Sequence, residues 1–572
     1  MAAPTGTLPL LLQWRGLILS RLVVAKRRVA AIRFSSAEAA AVSQGEPQVP
    51  GGVAPAKGKT DSETDSGKKT FNEILAERQE QAQRTVLINC PPNFNAKAFL
   101  KYLSRHGNVQ NHFFYKSKAM YAVIEFSERE SITSLQEVIT IPELKDEYPV
   151  PFKSRVLTLM LKKQSDLVSE HTPVQCHRQT SIPVEKLVKK LCDADSVSDQ
   201  LYLLTKECQL TEENIKLRFL ACSLIQDIAS TYFPDCIVKP FGSSVNTFGK
   251  LGCDLDMFLE LNKIGKNTIR KKTSPFNIIY QMKKAPSERI AAQRILNVIG
   301  EFLDNFGPGC EGVQKILNAR CPLVRFSHQP SGLQCDLTLN NRIALKSSEL
   351  LYVYGCLDSR VRALAFSIRY WAWTHGLTSS IPGAWITNFS LTMMVLFFLQ
   401  QRQPPIVPTL DQLKKLADAE DKEIIEGFDC TFVSNLNKIT PTSNTETLDV
   451  LLRDFFEFYG NFAFNKNSLN IRKGKEQNKP EASALHIQNP FEESLNISKN
   501  VNAAQLQRFV SLARDGAWIL QQVEKHPSDS SKPWGLAALL QASDTGNVSK
   551  GFKRLSMLNS DRVKDLLNSL KM

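Results

Sequence analysis

The chain has 572 residues, 42% of them apolar and 22% charged, with a formal net charge of +14. That length accommodates three or four domains with sizeable cores, and the composition is that of a globular protein, not a disordered or fibrous one. No apolar stretch is long enough to span a membrane; the longest candidate, Leu391–Leu399, suits a buried helix instead. Twelve cysteines are scattered from Cys90 to Cys430 without a CxxC pair or a Cys/His metal spacing, which reads as reduced thiols and not as a disulfide framework or a zinc site.

Residues 1–37 hold Arg15, Arg21, Lys26, Arg27, Arg28 and Arg33 and no acid, leaving +8 for the rest of the chain, a balance that suits a polyanionic partner. Their arginine, leucine and hydroxyl content is that of a mitochondrial transit peptide, removed near Arg33–Ser36, and Arg15 and Arg21 break the apolar core that a secretory signal needs. An ordinary basic helix or nuclear signal is the alternative. Residues 38–69 lack periodicity and read as a flexible linker.

A compact α/β unit follows over residues 70–163. Val86–Cys90, Val109–Lys116, Lys118–Phe126 and Arg155–Leu161 read as strands, with helices over Asn95–Arg105 and Glu128–Thr140. This βαββαβ order resembles the RNA-recognition-motif fold, with KAMYAVIEF in the place of its RNA-stacking strand. Met120 and Ala122 stand where stacking aromatics are expected, while Tyr121 and Phe126 remain, so base stacking should be weak. RNA backbone contact and self-association, the latter giving a homodimer through this unit, are equally open uses for it.

A connection over residues 164–195 merges into helical pattern at Val184–Cys192, which continues through Val197–Ser230 to a strand at Cys236–Pro240. The stretch Phe241–Glu260, FGSSVNTFGKLGCDLDMFLE, carries the chemistry. On a strand, Asp254 and Asp256 point to the same face. Two neighbouring carboxylates among apolar residues repel each other and lose hydration, so they need a cation to stay ionised. Mg²⁺ prefers carboxylate oxygens and completes its shell with phosphate and water. Gly242, Ser243 and Ser244 offer backbone N–H groups and hydroxyls at a strand-to-helix turn, a place to hold phosphate. Lys263–Lys284 holds seven basic residues and no acid, readable as a solvated loop or an RNA-phosphate contact. Ile316–Phe326 and Gly332–Asn340 read as strands joined at His328–Ser331, and the second carries Asp336. A single acid in a strand is most simply a hydrogen-bonded structural group, but three acids with this turn suit two-metal nucleotidyl transfer.

The Gly-Ser turn, the Asp-x-Asp pair and the distant third Asp resemble the DNA polymerase β-like nucleotidyltransferases. Ser347–Leu364, Gly383–Leu410 and His486–Asn500 resemble the poly(A) polymerase and terminal uridylyltransferase family, the last segment falling in its PAP-associated region. The likeness runs over roughly residues 200–525. It implies an α/β (α+β) nucleotidyltransferase palm over 196–345 and a helical PAP-associated domain over 346–525, with a tail over 526–572. It also implies template-independent adenylyl transfer from ATP to RNA 3′ ends in the mitochondrial matrix, with two Mg²⁺ or Mn²⁺ ions as cofactors.

Carried over from the family, Gly242 and Ser243 hold the triphosphate, with Ser244 beside them. Asp254 and Asp256 bind both ions, and Asp336 binds the one that activates the 3′-hydroxyl. Phe389 matches a base-stacking tyrosine, Asn388 stands where a serine is usual, and Arg369 matches a triphosphate-contacting lysine. Trp373 stands where relatives often have a second phosphate-binding lysine, and Ser347 replaces a frequent asparagine near the sugar; Phe389 and Trp373 are otherwise plain core aromatics. Leu495 stands where uridylyl relatives carry a uracil-reading histidine, which implies ATP over UTP. The rivals are a terminal uridylyltransferase or CCA-type transferase, and a catalytically inactive RNA-binding scaffold.

Overall fold

The computed structural model describes residues 69–141, 148–161, 174–261, 281, 283–523 and 533–541. The transit-peptide-like segment, almost all of the linker, most of the basic insert and most of the tail lie outside the described residues. No described helix is long and apolar enough to cross a membrane.

The N-terminal unit opens with α1 (Phe71–Gln83), which sequence periodicity does not announce; Thr70 and Glu73 cap it reciprocally. Then come β1 (Thr85–Cys90), α2 (Ala96–Leu103), β2 (Val109–Lys116), β3 (Met120–Phe126), α3 (Glu130–Glu137), β4 (Val156–Thr158) and β5 (Cys176–His177). The sheet order is β4-β1-β3-β2-β5, with β4 parallel to β1. Helices α4 (Val184–Cys192), α5 (Val197–Cys208) and α6 (Glu212–Ser230) follow.

Both faces of this first sheet are covered. Val86, Ile88, Ala122, Ile124 and Phe126 pack on Phe99 and Leu103 of α2 and Ile132 and Leu135 of α3. On the other face, Leu87, Phe113, Tyr115, Tyr121 and Val123 meet Leu217, Leu220 and Leu224 of α6. Tyr121 and Phe126, the aromatics left for stacking, are 8% and 0% exposed. The face that an RNA-recognition motif would offer to bases is therefore a packed core here. Polar contacts tie the same seam: Arg155 donates to Asp227 at 2.8 Å and to Ser223 at 2.6 Å, and Lys216 lies 3.3 Å from Glu125. Tyr115 donates to the Pro330 carbonyl at 2.6 Å.

The palm sheet is built from β6 (Ile237–Phe241), β7 (Leu255–Glu260), β8 (Cys310–Ile316), β9 (Leu323–His328) and β10 (Leu333–Leu339), with α7 (Glu288–Phe306) between β7 and β8. The order is β6-β7-β10-β9-β8, and β7 and β10 form its parallel pair. The single strand expected over Ile316–Phe326 is two, β8 and β9, because Pro322 has no N–H for a ladder and the chain turns just before it. Val238, Leu255, Met257, Leu259, Leu296, Ile299, Phe326, Cys335 and Leu337 form the core.

The helical lobe comprises α8 (Arg342–Leu357), α9 (Ser359–Thr374), α10 (Asn388–Gln400), α11 (Leu410–Lys415), α12 (Leu448–Asn461), α13 (Ala503–Val523) and α14 (Gly535–Gln541). Every residue of α10 from Ser390 to Gln400 is buried, so the apolar run Leu391–Leu399 is the central core helix. Two segments join this core from outside the range expected for it. Leu201, Leu204 and Cys208 of α5 pack here, although the palm is expected from residue 196. Leu536, Leu539 and Leu540 of α14 are buried in it, so residues 535–541 of the expected tail are part of the folded lobe.

Candidate active site

The turn after β6 is a single 3-10 turn, Gly242–Ser244, and Gly242 takes φ +65°. A Cβ at this position would lie 2.8 Å from Asp256 Oδ2, so only glycine lets the turn press against that carboxylate. Asp256 is in register with Phe241 on one side and with Asp336 of β10 on the other. Asp254 lies just before β7, two residues from Asp256. The structure thus brings Asp256 and Asp336 together on adjacent strands, with Asp254 just before β7 and the Gly242–Ser244 turn beside them.

The electrostatics are those of crowded acids. Burial, then the neighbouring Asp336 and Asp254, push Asp256 up to about 7, countered in part by Arg218 and Arg325. Asp254 is also raised, by burial and then by Asp336. Asp336 is engaged by Arg325, whose Nε and Nη2 donate to its two carboxylate oxygens at 2.8 and 2.6 Å. Among the described residues no three His, Cys, Asp or Glu side chains form a ready metal-holding group. The donor set nevertheless fits a hard divalent cation, because it is all carboxylate and the crowding raises Asp254 and Asp256.

Four residues that sequence reasoning did not single out organise the site. Arg218 of α6, 2% exposed, donates to the Cys253 carbonyl at 2.7 Å, the Asp254 carbonyl at 3.3 Å and Ser244 Oγ at 3.4 Å. It clamps the turn to the loop that carries the first acid. An arginine between Leu217 and Phe219 in an apolar helical pattern was the available signal. Ser348 Oγ accepts from the Gly242 N–H at 2.8 Å. Arg325 holds Asp336, and the fourth, Lys250, lies over the Trp373 ring with Nζ 5.6 Å from its centroid.

Other expected residues fall differently. Ser244 is 2% exposed and its hydroxyl takes Arg218, so its side chain braces the turn and is not free for phosphate. Ser347 donates to the Ile343 carbonyl of its own helix at 2.9 Å; the neighbouring Ser348 reaches the turn. Ser243 is half-buried, its hydroxyl 3.3 Å from Cys253 Sγ. Arg369 donates to the Phe248 carbonyl at 2.7 Å, and burial pulls its guanidinium down to about 10. Asn388 is exposed at the start of α10, and Phe389 packs partly buried on the helical core. Leu495 is half-buried in a loop fixed by the Asn489 N–H donating to its carbonyl at 2.9 Å and by its own N–H donating to the Glu492 carbonyl at 2.8 Å. Arg320, in the turn between β8 and β9, reaches Glu492 at 3.2 Å and so links that loop to the palm. Asn388, Phe389 and Leu495 therefore belong to the helical lobe, and the acids to the palm.

Three family models match this chain. Residues 197–356 match the family model described as the central palm domain of mitochondrial-like poly(A) RNA polymerase. Residues 70–140 match an RL domain, and 447–497 match the Cid1 family poly A polymerase model. A mouse (Mus musculus) protein named mitochondrial poly(A) RNA polymerase is 63% identical over 88% of this chain and 86% of its own length. Its Drosophila melanogaster namesake is 34% identical over 81% and 78%. A crystal structure of mtPAP in complex with ATPγS superposes with a TM-score of 0.78 at 60% identity, covering 82% of this chain and 99% of that one. Further crystal structures of mtPAP hold UTP, GTP and CTP.

Proposed function

The chain belongs to the mitochondrial poly(A) RNA polymerase family, and from that membership we infer that its palm acids catalyse template-independent addition of adenylates to RNA 3′ ends. The enzyme is a polynucleotide adenylyltransferase of mitochondria, an assignment the names of its relatives support; the matrix is our finer reading. The observation that carries the mechanism is the register of Asp256 with Asp336 on β7 and β10, beside a glycine turn pressed against the first of them.

Dependence on a divalent metal accompanies the nucleotidyltransferase family. That two ions, Mg²⁺ or Mn²⁺, are held by Asp254, Asp256 and Asp336 is our reading of the all-carboxylate donor set. Bound there, they would lower the pKa of the RNA 3′-hydroxyl and neutralise charge on the departing pyrophosphate. The reaction is in-line attack of that hydroxyl on the ATP α-phosphate, with pyrophosphate leaving.

The chain's own residues orient the reactants. Gly242 and Ser243 receive the triphosphate, and Arg369 adds charge from α9. Phe389 gives its ring face to the base, with Asn388 beside it and Ser347 near the sugar. To hold a metal, Asp336 would have to turn at least one carboxylate oxygen away from the Arg325 fork. Leu495 presents no polar group to uracil. The mtPAP relatives crystallise with all four nucleotide classes, so the site of that fold admits every base.

With its sheet covered on both faces, the N-terminal unit offers no open sheet face for stacking RNA among the described residues. Val138, Ile139, Ile141, Tyr148 and Met160 are exposed apolar residues of that unit, which favours self-association as a homodimer over backbone contact. A monomeric mass for the full chain by light scattering would refute the dimer. Extension of an RNA primer with each nucleotide offered singly, with Mg²⁺ or Mn²⁺ and with chelator, tests the main reading. ATP should be extended fastest, chelator should stop the reaction, and Leu495→His should raise uridylate addition. UTP outcompeting ATP with the parental protein overturns the adenylyl assignment.

A further inference from the structure

The loop that follows the Gly-Ser turn is fixed at its base. The Leu210 N–H donates to the Gly249 carbonyl at 3.0 Å, the Leu251 N–H donates to the Cys208 carbonyl at 2.7 Å, and Gln209 and Lys250 form an antiparallel bridge. The Lys250 backbone is thereby held against the end of α5, and its side chain extends over the Trp373 ring. Trp373 is 47% exposed, and one helical turn before it on the same face of α9 stands Arg369.

Both cations are half-buried, and neither forms an ion pair with an acid among the described residues. Among the described residues Arg369 donates to a neutral carbonyl and lies over the Phe366 ring, 5.8 Å from its centroid, while its Nε is buried without a hydrogen-bond partner. Burial pulls Lys250 below the usual lysine value, and the Arg369 charge lowers it further; Asp254 opposes this as the smallest of the contributions. Two like charges withdrawn from water without a counter-ion are costly, and a polyanion relieves both at once. The position is also the right one, since the same short loop begins with Gly242 and Ser243.

We propose that Lys250 joins Arg369 as the cationic seat for the polyphosphate of the incoming nucleotide. Lys250 supplies from the turn loop the charge that α9 lacks at Trp373, whose ring holds the ammonium in place. This rests on the nucleotide-binding reading above and adds to it a residue outside the helical lobe.

The test uses the full chain, its Lys250→Met and Lys250→Arg variants, and sodium tripolyphosphate in EDTA as the probe. Thermal melting is read with and without the probe, and KM is measured separately for ATP and for primer RNA. Lys250→Met should melt at or above the parental temperature without probe, because an unpaired cation is gone. It should lose most of the probe-induced rise, and its KM for ATP should increase about tenfold, the loss expected for one charge-assisted contact. KM for RNA should not move, and Lys250→Arg should restore both the melting rise and KM for ATP. A Met variant that melts lower without probe yet keeps its probe-induced rise makes Lys250 structural and overturns the proposal, as does one that keeps both parental values. If neither ATP with Mn²⁺ nor tripolyphosphate in EDTA raises the melting temperature of the parental chain, the nucleotide-binding reading itself fails.

Discussion

Replacing Asp256 with asparagine should stabilise the metal-free protein while abolishing extension. In the folded chain the Asp256 carboxyl is displaced from 3.8 to about 7, by burial first and by its two acidic neighbours next. At about 1.4 kcal/mol per pH unit, that displacement sets a ceiling of about 4 kcal/mol on the cost of keeping this group ionised. Below pH 4 the group is protonated in folded and unfolded chains alike, and Asp256→Asn should match the parental protein. Between pH 4 and 7 only the folded chain retains the proton, so parental stability falls as pH rises. Above pH 7 the full penalty is present and the variant's advantage is greatest. Melting in EDTA across pH 4 to 8 measures this difference, and Mn²⁺ added at pH 8 should raise the parental melting temperature much more than the variant's. A variant no more stable than the parent at pH 8 in EDTA refutes the view that these acids are held apart from a needed cation.

Gly242→Ala forces a Cβ against the Asp256 carboxylate at a left-handed φ, and the rate of primer extension should fall at least about tenfold through misplacement of the turn; a parental rate refutes the close approach. Arg325→Ala frees both Asp336 oxygens, so Mn²⁺ should bind more tightly by calorimetry while the metal-free protein melts lower; unchanged affinity means that the Arg325 fork does not oppose the metal. Leu220→Asp places a carboxylate in the seam between α6 and the N-terminal sheet, where Leu220 is 0% exposed. It should cost about 3 kcal/mol or more and lower extension as well; melting like the parent's would show that the seam is open in solution.

The meeting of the three acids with the Gly-Ser turn was legible because its signals are local. Period-two alternation put Asp254 and Asp256 on one face, and glycine followed by serine marked a turn that no other residue could make. Asp336 was readable for the same reason, as an acid inside an apolar alternation. The clamps were not legible, because their partners are far apart in sequence: Arg218 meets Cys253 and Asp254, and Ser348 meets Gly242. No spacing rule connects such pairs. Splitting Ile316–Phe326 into two strands was foreseeable from Pro322, which an unbroken apolar run tends to hide. The fate of the stacking strand was beyond sequence reading: Tyr121 has the same alternation whether its face meets RNA or, as here, Leu217 and Leu220 of another element.

Helix α6 is a shared wall. One side carries Leu217, Leu220 and Leu224 under the N-terminal sheet, and the adjacent Arg218 grips the loop that bears Asp254. A lesion that loosens the outer sheet shifts this wall, and with it the Asp254 carboxylate in a loop the lesion never touches. Inherited or engineered changes in residues 85–126 should therefore register as lost polymerisation even where nucleotide and RNA contacts are intact. Removing the N-terminal unit to ask what it does would strip an apolar helix face and so disturb the very chemistry it was meant to isolate.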